Sequence, residues 1–339
     1  MVWVAVDAMG GDFAPQAVVE GAQRALETYA DLHIFLVGVP EKVKPYLKRR
    51  RLKRLELVPA SQVVAMDEAP IAALRNKPDS SIRRAFNLLK DGKAQAVVSA
   101  GNSGAVVATG LFVLGRLAGV SRPAIATVLP TIKDNAVLVD AGANVDCKPH
   151  HLLQFAYMGA VFAREILGRA EPKVGLLSIG EEGGKGNTLV KRTHELLTRS
   201  HLNYVGNVEG RDIYQGEVDV IVCDGFVGNV CLKLSEGLAE ALMSMMIQEV
   251  RRKRAAQLGF ALARPALVQF KKRIDWRERG GAPLLGVEGV VIISHGRSDA
   301  RAICNAIGAA REFVRQEVIS RLREALAEIR SYSAVATEK

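Results

Sequence analysis

The chain has 339 residues, 49% apolar and only 5% aromatic, with no low-complexity tract, which allows one large α/β domain or two modest ones and excludes disorder. Its net charge of +10 is concentrated: eight Lys/Arg oppose one Glu between Glu41 and Arg54, and ten oppose three acids between Glu249 and Arg279. Four scattered cysteines (Cys147, Cys223, Cys231 and Cys304) show neither C-x-x-C nor paired-His spacing, which argues against a structural metal site and a disulfide framework.

In chain order, Met1 leads straight into an apolar run at residues 2–6, without the basic region and cleavage site of a signal peptide. Further Val/Ile/Leu runs follow at residues 32–37, 96–98, 124–129, 136–139, 174–179, 218–222 and 290–293, continuous enough for strands covered on both faces. Helix-like segments alternate with them at residues 15–29, 80–89, 150–167, 187–198 and 298–329. This alternation predicts an α/β fold with a doubly wound, mostly parallel sheet, in a single domain spanning residues 1–339. Residues 95–115 form an uncharged window of 21 residues, but the turn-forming Ser99-Ala-Gly-Asn-Ser-Gly104 at its centre suits strand, turn and helix rather than a membrane span.

Residues 229–275 break the alternation. A helical pattern runs from Asn229 to about Gln257, with Leu234, Leu238, Ala241, Leu242, Met245 and Met246 on one face. The apolar tip Leu258-Gly-Phe-Ala-Leu262 follows, and Pro265 can start a second helix. The expectation is a protruding amphipathic helical hairpin. Its tip residues Leu258, Phe260 and Leu262, set between basic arms, suit an anionic membrane surface, and its Leu/Met stripe suits a dimer seam.

Six strand-like runs end in small-residue turns: Asp7-Ala-Met-Gly-Gly-Asp12, Ser99-Ala-Gly-Asn-Ser-Gly104, Asp140-Ala-Gly-Ala-Asn-Val-Asp146, Ser178-Ile-Gly-Glu-Glu-Gly-Gly-Lys-Gly-Asn187, Cys223-Asp-Gly-Phe-Val-Gly-Asn229 and Ser294-His-Gly-Arg-Ser-Asp299. In a parallel sheet these turns would line one edge and face one crevice. Glycine admits close backbone approach and a following helix N-terminus favours an anion, so the crevice reads as a phosphate site. Candidate phosphate or substrate contacts are Asp7, Gly10, Gly11, Asp12, Gly101, Asn102, Ser103, Asn144, Asn187 and Ser298. Candidate catalytic groups are Lys185, a cation inside a glycine nest, with Asn229 and His295 as donors to a developing oxyanion. Capping roles stay open for Asn144 and Asn229, and a structural role for His295. The Lys185 loop is one residue short of G-x-x-x-x-G-K and has Gly186 where Ser or Thr is required, and no turn carries G-x-G-x-x-G with a downstream acid. A P-loop nucleotidase and a nicotinamide enzyme are therefore not expected.

Together these segments closely resemble the bacterial phosphate acyltransferase family known as PlsX. The matching stretches include Val6-Asp-Ala-Met-Gly-Gly-Asp-Phe-Ala-Pro15, Lys77-Pro-Asp-Ser-Ser81, the turns at Ser99, Asp140, Cys223 and Ser294, and Ile179-Gly-Glu-Glu-Gly-Gly-Lys-Gly-Asn187; they span most of the chain. Departures are small: Ser103 stands where the family often has Thr, and Gly183 where a third acid is common. The resemblance implies transfer of a long-chain fatty acyl group from acyl carrier protein to inorganic phosphate, giving acyl phosphate for phospholipid synthesis. It also implies a fold similar to phosphotransacetylases and the isocitrate/isopropylmalate dehydrogenases, and no redox cofactor; Asp7 and Asp12 could bind Mg²⁺ or fix loop geometry, the geometric role is favoured, and no cofactor or metal is expected. A homodimer is implied, cytoplasmic and peripherally membrane-associated, that serves an acyl-phosphate-consuming glycerol-3-phosphate acyltransferase. The rival enzyme is a short-chain phosphotransacetylase using acyl-CoA. A nucleic-acid-binding protein would interleave aromatic residues with the basic runs, which this chain does little, so no nucleic acid partner is expected.

Overall fold

The structure, a computed structural model, describes residues 1–47 and 53–337; residues 48–52 of the first basic run lie outside the described residues. Its strands are β1 Val2–Asp7, β2 Leu32–Gly38, β3 Leu55–Pro59, β4 Ala96–Ser99, β5 Ala124–Pro130, β6 Asn135–Val139, β7 Val174–Leu177, β8 Tyr204–Val208, β9 Val220–Val222, β10 Ala282–Leu285 and β11 Val290–Ile293. The helices are α1 Gln16–Thr28, α2 Pro40–Val43, α3 Pro70–Asn76, α4 Ser81–Lys90, α5 Ser103–Thr109, α6 Pro149–Leu167, α7 Thr188–Thr198, α8 Gly225–Arg252, α9 Arg254–Leu262, α10 Arg264–Ile274, α11 Ala300–Arg315 and α12 Val318–Thr337. The segment expected as one closing helix is two, broken where Glu317 takes φ 51°.

The strands form one sheet in the order β3-β2-β1-β4-β11-β10-β5-β6-β9-β7-β8. Alternation along β1 sends Val4 and Val6 to one face and Ala5 to the other, and each face has its own core. Phe155 and Phe162 of α6 and Ile303 and Ile307 of α11 cover the first face; Ile82 and Phe86 of α4 and Val106 of α5 cover the second. Each fully buried Leu, Ile or Phe contributes roughly 1.5–3 kcal/mol.

Strand direction corrects one expectation. β3, β2, β1, β4 and β11 are parallel to one another, as are β6, β9, β7 and β8, but the three antiparallel pairings β11–β10, β10–β5 and β5–β6 reverse the second group against the first. The six turns therefore do not share one edge: those after β1, β4 and β11 leave one group, and those after β6, β7 and β9 leave the opposed group. The groups join through a short β10–β5 pairing, Leu284 to Ile125 and Leu285 to Ala124. Ile293 of β11 sits opposite Ala282 of β10, two residues before Leu284, while Ala141 donates to the Ile125 carbonyl at 2.8 Å. This stagger brings the turns after β6 and β11 together across the junction.

The protruding segment also differs from a simple hairpin. Its apolar apex is itself helical, as α9, with Leu258 70% and Leu262 85% exposed and Phe260 half-buried. α8 starts inside the domain, where a Cβ on Gly228 would lie 1.9 Å from the Asp140 carbonyl oxygen, whereas one on Gly237 of the same helix would meet nothing. Gly228→Ala is expected to destabilise the protein by at least about 1–3 kcal/mol through overpacking, while Gly237→Ala is neutral or stabilising. Urea unfolding of both variants checks this; equal midpoints would disprove the close approach.

Candidate active site

The turns are built first as framework. Asp7, buried at the end of β1, accepts from the Ser99 hydroxyl at 2.7 Å and from the Met9 amide at 3.2 Å, which ties the β1 turn to the β4 turn. Burial pushes its carboxyl up from the usual range, opposed by bonds from Ser81 and Ser99. Gly11 takes φ 103°, and the following Asp12 amide donates to the Gly296 carbonyl at 2.8 Å. Ser294 and Ser298 share a buried hydroxyl–hydroxyl bond of 2.8 Å. Asn102 caps α5 by accepting from the Ala105 amide and uses its own NH2 on the carbonyls of Met66 and Glu68.

Asp140 does the same for the opposed group. Wholly buried, its carboxylate accepts from the amides of Ile125, Gly142, Ala143 and Asn144 and from the Asn144 side chain, at 2.7–3.1 Å. The amides that the sequence offers to a phosphate are thus taken by the protein's own carboxylate. Asn144 spends its remaining proton on the Pro123 carbonyl at 2.7 Å, so its side-chain NH2 is fully used within the loop. Burial pushes the Asp140 carboxyl up, and these bonds oppose that shift.

Above this framework lies a cavity of about 1470 Å³, larger than the roughly 300–1,000 Å³ of an ordinary small-molecule pocket. Its polar end gathers Asp12, Gly101 and Ser103 from the first group, Gly142 and Asn229 from the second, and His295. Asn229 donates to the Ala141 carbonyl at 3.2 Å; Gly142, at φ 138°, leaves the space that this contact needs, since a Cβ there would lie 2.8 Å from the Asn229 nitrogen. His295 accepts at Nδ1 from the Arg297 amide at 3.1 Å and packs on Trp276 with ring centroids 4.9 Å apart. Burial pushes its pKa below the usual imidazole value; the Glu236 and Asp12 charges oppose this shift, and the Arg297 and Lys233 charges reinforce it. The ring is therefore neutral at pH 7, and with Nδ1 accepting, its proton sits on Nε2 as a donor.

The rest of the lining mixes apolar side chains with charged ones, among them Glu240, Lys271, Arg273 and Arg279. Ile125, Val128, Leu129 and Ile132 line one side, Leu232, Leu238 and Met243 of α8 another, and Phe270 and Ile274 the far wall. Of the candidates from sequence, the structure brings Asp12, Gly101, Ser103, Asn229 and His295 to the cavity wall. Asp7, Gly10, Gly11, Asn102, Asn144 and Ser298 belong to the turns beneath it. Lys185 stands exposed on the loop between β7 and α7 and is not on the cavity wall, and Asn187 caps α7 through the Val190 amide at 2.9 Å.

Sequence reasoning missed Lys233, which lines the cavity and whose charge acts on His295. It follows Asn229 by one helical turn, so the i, i+4 relation places both on one face of α8.

Comparison with known proteins agrees with this architecture. A family model described as "fatty acid synthesis protein" matches residues 2–321. A phosphate acyltransferase from Syntrophotalea carbinolica is 55% identical, over 94% of this chain and 92% of its own length. One from Thermodesulfovibrio yellowstonii is 49% identical, over 96% and 94%. Among solved structures, a phosphotransacetylase from Streptococcus pyogenes aligns with a TM-score of 0.62 at 17% identity, covering 92% of this chain and 94% of that one. A 4-hydroxythreonine-4-phosphate dehydrogenase from Klebsiella pneumoniae aligns at 0.55 and 14%, covering 92% and 99%. These two likenesses establish the fold.

The His295 environment has a testable consequence. The folded state holds the ring neutral, whereas the unfolded chain takes up a proton near pH 6.5, so the stability gained from a neutral ring is lost as pH falls below 6.5. His151, pushed down to about 4 by burial and then by His150, adds the same sign between pH 6.5 and about 4. The His295 ring is expected to titrate below 6.5 by NMR, and urea stability to decline across that window, less steeply in His295→Gln. A His295 titration at or above 6.5 would show that the ring is not held neutral.

Proposed function

Because the chain belongs to the fatty acid synthesis protein family, we propose that it transfers a long-chain fatty acyl group from acyl carrier protein to inorganic phosphate, giving acyl phosphate for phospholipid synthesis. It is an acyltransferase, as its relatives' names state. The observation that carries the finer reading is the cavity itself: groups from two sets of turns share it with many apolar side chains of β5, α8 and α10, in a volume of about 1470 Å³ that exceeds an ordinary small-molecule pocket. Phosphate is already anionic at neutral pH, so the site must position it rather than generate a nucleophile. One phosphate oxygen attacks the thioester carbonyl, the C–O bond forms, and the carbonyl oxygen takes the negative charge. His295 Nε2–H and the Asn229 amide are the donors for that oxyanion, and Lys233 is the cation for phosphate. Collapse breaks the C–S bond and releases the carrier as its thiol.

The cysteines speak for direct attack. Burial pushes the Cys147 thiol up to about 12, with the Asp140 charge adding to it, and Cys223 is pushed well up for the same reasons. Neither is a thiolate at neutral pH, and the thiolate is the nucleophilic form. The short-chain alternative using acyl-CoA shares the fold, as the phosphotransacetylase likeness indicates, but gives the apolar side chains of the cavity wall no long acyl chain to cover them. Purified protein with phosphate is expected to make acyl phosphate, detected as hydroxamate, from palmitoyl-carrier protein in strong preference to acetyl-CoA. Equal use of both donors would replace the long-chain reading with the short-chain one.

The choice of cation is open to a direct comparison. Lys185 carries the glycine-nest signal in sequence, while Lys233 carries the position in the cavity. Lys233→Ala is expected to lower turnover about 10²–10³-fold and Lys185→Ala less than about tenfold. The reverse result returns the phosphate role to Lys185.

The same reading places a homodimer at the membrane surface. No helix among the described residues is long and apolar enough to cross a membrane, but α9 exposes Leu258 and Leu262 between Arg251–Arg254 and Arg264. Apolar insertion supplies depth, and each nearby cation contributes about 1 kcal/mol of attraction to an anionic surface. There the acyl phosphate is delivered to a glycerol-3-phosphate acyltransferase. Leu258→Glu or Phe260→Glu is expected to abolish salt-sensitive sedimentation with phosphatidylglycerol vesicles while sparing acyl transfer in solution. Unchanged sedimentation would show that the apex does not insert, and loss of the dimer would assign it to the subunit interface.

A further inference from the structure

A second cavity, of about 430 Å³, lies where α10 returns to the sheet, between the β5–β6 turn and the short 3-10 turn Trp276–Arg279. Arg273 and Arg279 line both this cavity and the acyl-sized one. Its carboxylates are already engaged: Asp134 pairs with Arg169 at 2.6 Å, and Glu278 pairs with Arg301. Lys133 is neutralised by Glu217 at 2.5 Å. That leaves Lys272, Arg273 and Arg279 with no carboxylate within ion-pair distance among the described residues.

Their guanidiniums are fixed by neutral acceptors. Arg273 Nη2 donates to the carbonyls of Thr131 at 2.7 Å and Ile132 at 2.6 Å, and Arg279 donates to the Asn135 side-chain oxygen and the Arg273 carbonyl. Each guanidinium has five N–H donors, so both keep free donors in a rigid setting. Burial and the Arg273 charge both push the Arg279 pKa down, with the Asp134 charge opposing them. A partly buried guanidinium beside an exposed one, both with spare donors, is best compensated by a phosphate ester, which Arg binds through paired, charge-assisted hydrogen bonds.

Position selects the source of that phosphate. Trp276 packs on His295 at the reacting end, and Arg279, the last residue of the same 3-10 turn, lines the basic cavity. A flexible arm bearing a thioester at one end and a phosphate at the other would follow this turn. The cavity also lies at the base of the helical projection, on the β5–β6 turn, whereas a lipid headgroup would meet its apex. Resting on the acyl-transfer reading above, we infer that Lys272, Arg273 and Arg279 bind the phosphate ester of the donor's 4′-phosphopantetheine arm.

The test compares palmitoyl-4′-phosphopantetheine with palmitoyl-pantetheine as donors, with inorganic phosphate as acceptor. Wild-type protein should favour the phosphorylated donor in kcat/KM by about tenfold, the scale of one charge-assisted contact, mainly through KM. Lys272→Ala, an exposed position, and Arg279→Gln should each bring that ratio toward one. A wild-type ratio near one, or an unchanged ratio in both variants, overturns the assignment. If Lys272→Ala instead releases the protein from phosphatidylglycerol vesicles and leaves the ratio unchanged, the site belongs to a lipid headgroup and the assignment falls. Failure of both donors to give acyl phosphate with wild-type protein would instead refute the acyl-transfer reading itself.

Discussion

The Asp140 carboxylate is the interaction on which the site depends. It is removed from water, yet five N–H donors converge on it, drawn from β5, from the loop after β6 and from the Asn144 side chain. An ion in this position is tolerable only while those bonds are made, so the loop has one conformation. That conformation sets the start of α8: the Gly225 amide donates to the Asn144 carbonyl, and Gly228 passes against the Asp140 carbonyl. Asn229 and Lys233 are then placed by the helix. Asp7 repeats the device in the opposed group of strands, with Ser99 as its partner. One buried carboxylate on each side of the sheet junction holds the turns that face each other across the cavity.

This arrangement divides the loops from the cavity wall: internal bonds hold the turn after β6, and other side chains face the cavity. In the loop after β6 the amides of Gly142, Ala143 and Asn144 are all taken by Asp140, which fixes that turn. Among the groups that line the cavity are a neutral imidazole donor, a side-chain amide and an ammonium, those of His295, Asn229 and Lys233. Transition-state stabilisation depends on donors that need no reorganisation, and a ring fixed by the Arg297 amide on one side and Trp276 on the other meets that requirement. Ile125, Val128 and Leu129 of β5 and Leu232 and Leu238 of α8 give the same cavity apolar wall surface.

The sequence by itself determined the fold class and most of its elements, because a strand covered on both faces must be continuously apolar, as residues 96–98, 136–139 and 290–293 are. It did not yield β3, β8 or β10. The first and second are edge strands with polar or exposed residues, and the third is a four-residue piece containing Pro283. The six turns were legible as glycine-, Asn- and Asp-rich punctuation. What those residues bond to was not, since Asp140 and Asn144 close their own loop through contacts that composition cannot distinguish from ligand contacts. Strand direction was equally hidden: the reversal passes through β10 and β5, and no local pattern records whether a buried strand runs up or down. Only the tertiary structure decided that the opposed turns meet, that Lys233 stands in the cavity where Lys185 does not, and that Arg273 and Arg279 share a second basin. Each of these depends on residues far apart in sequence being brought together by packing, which local periodicity does not encode.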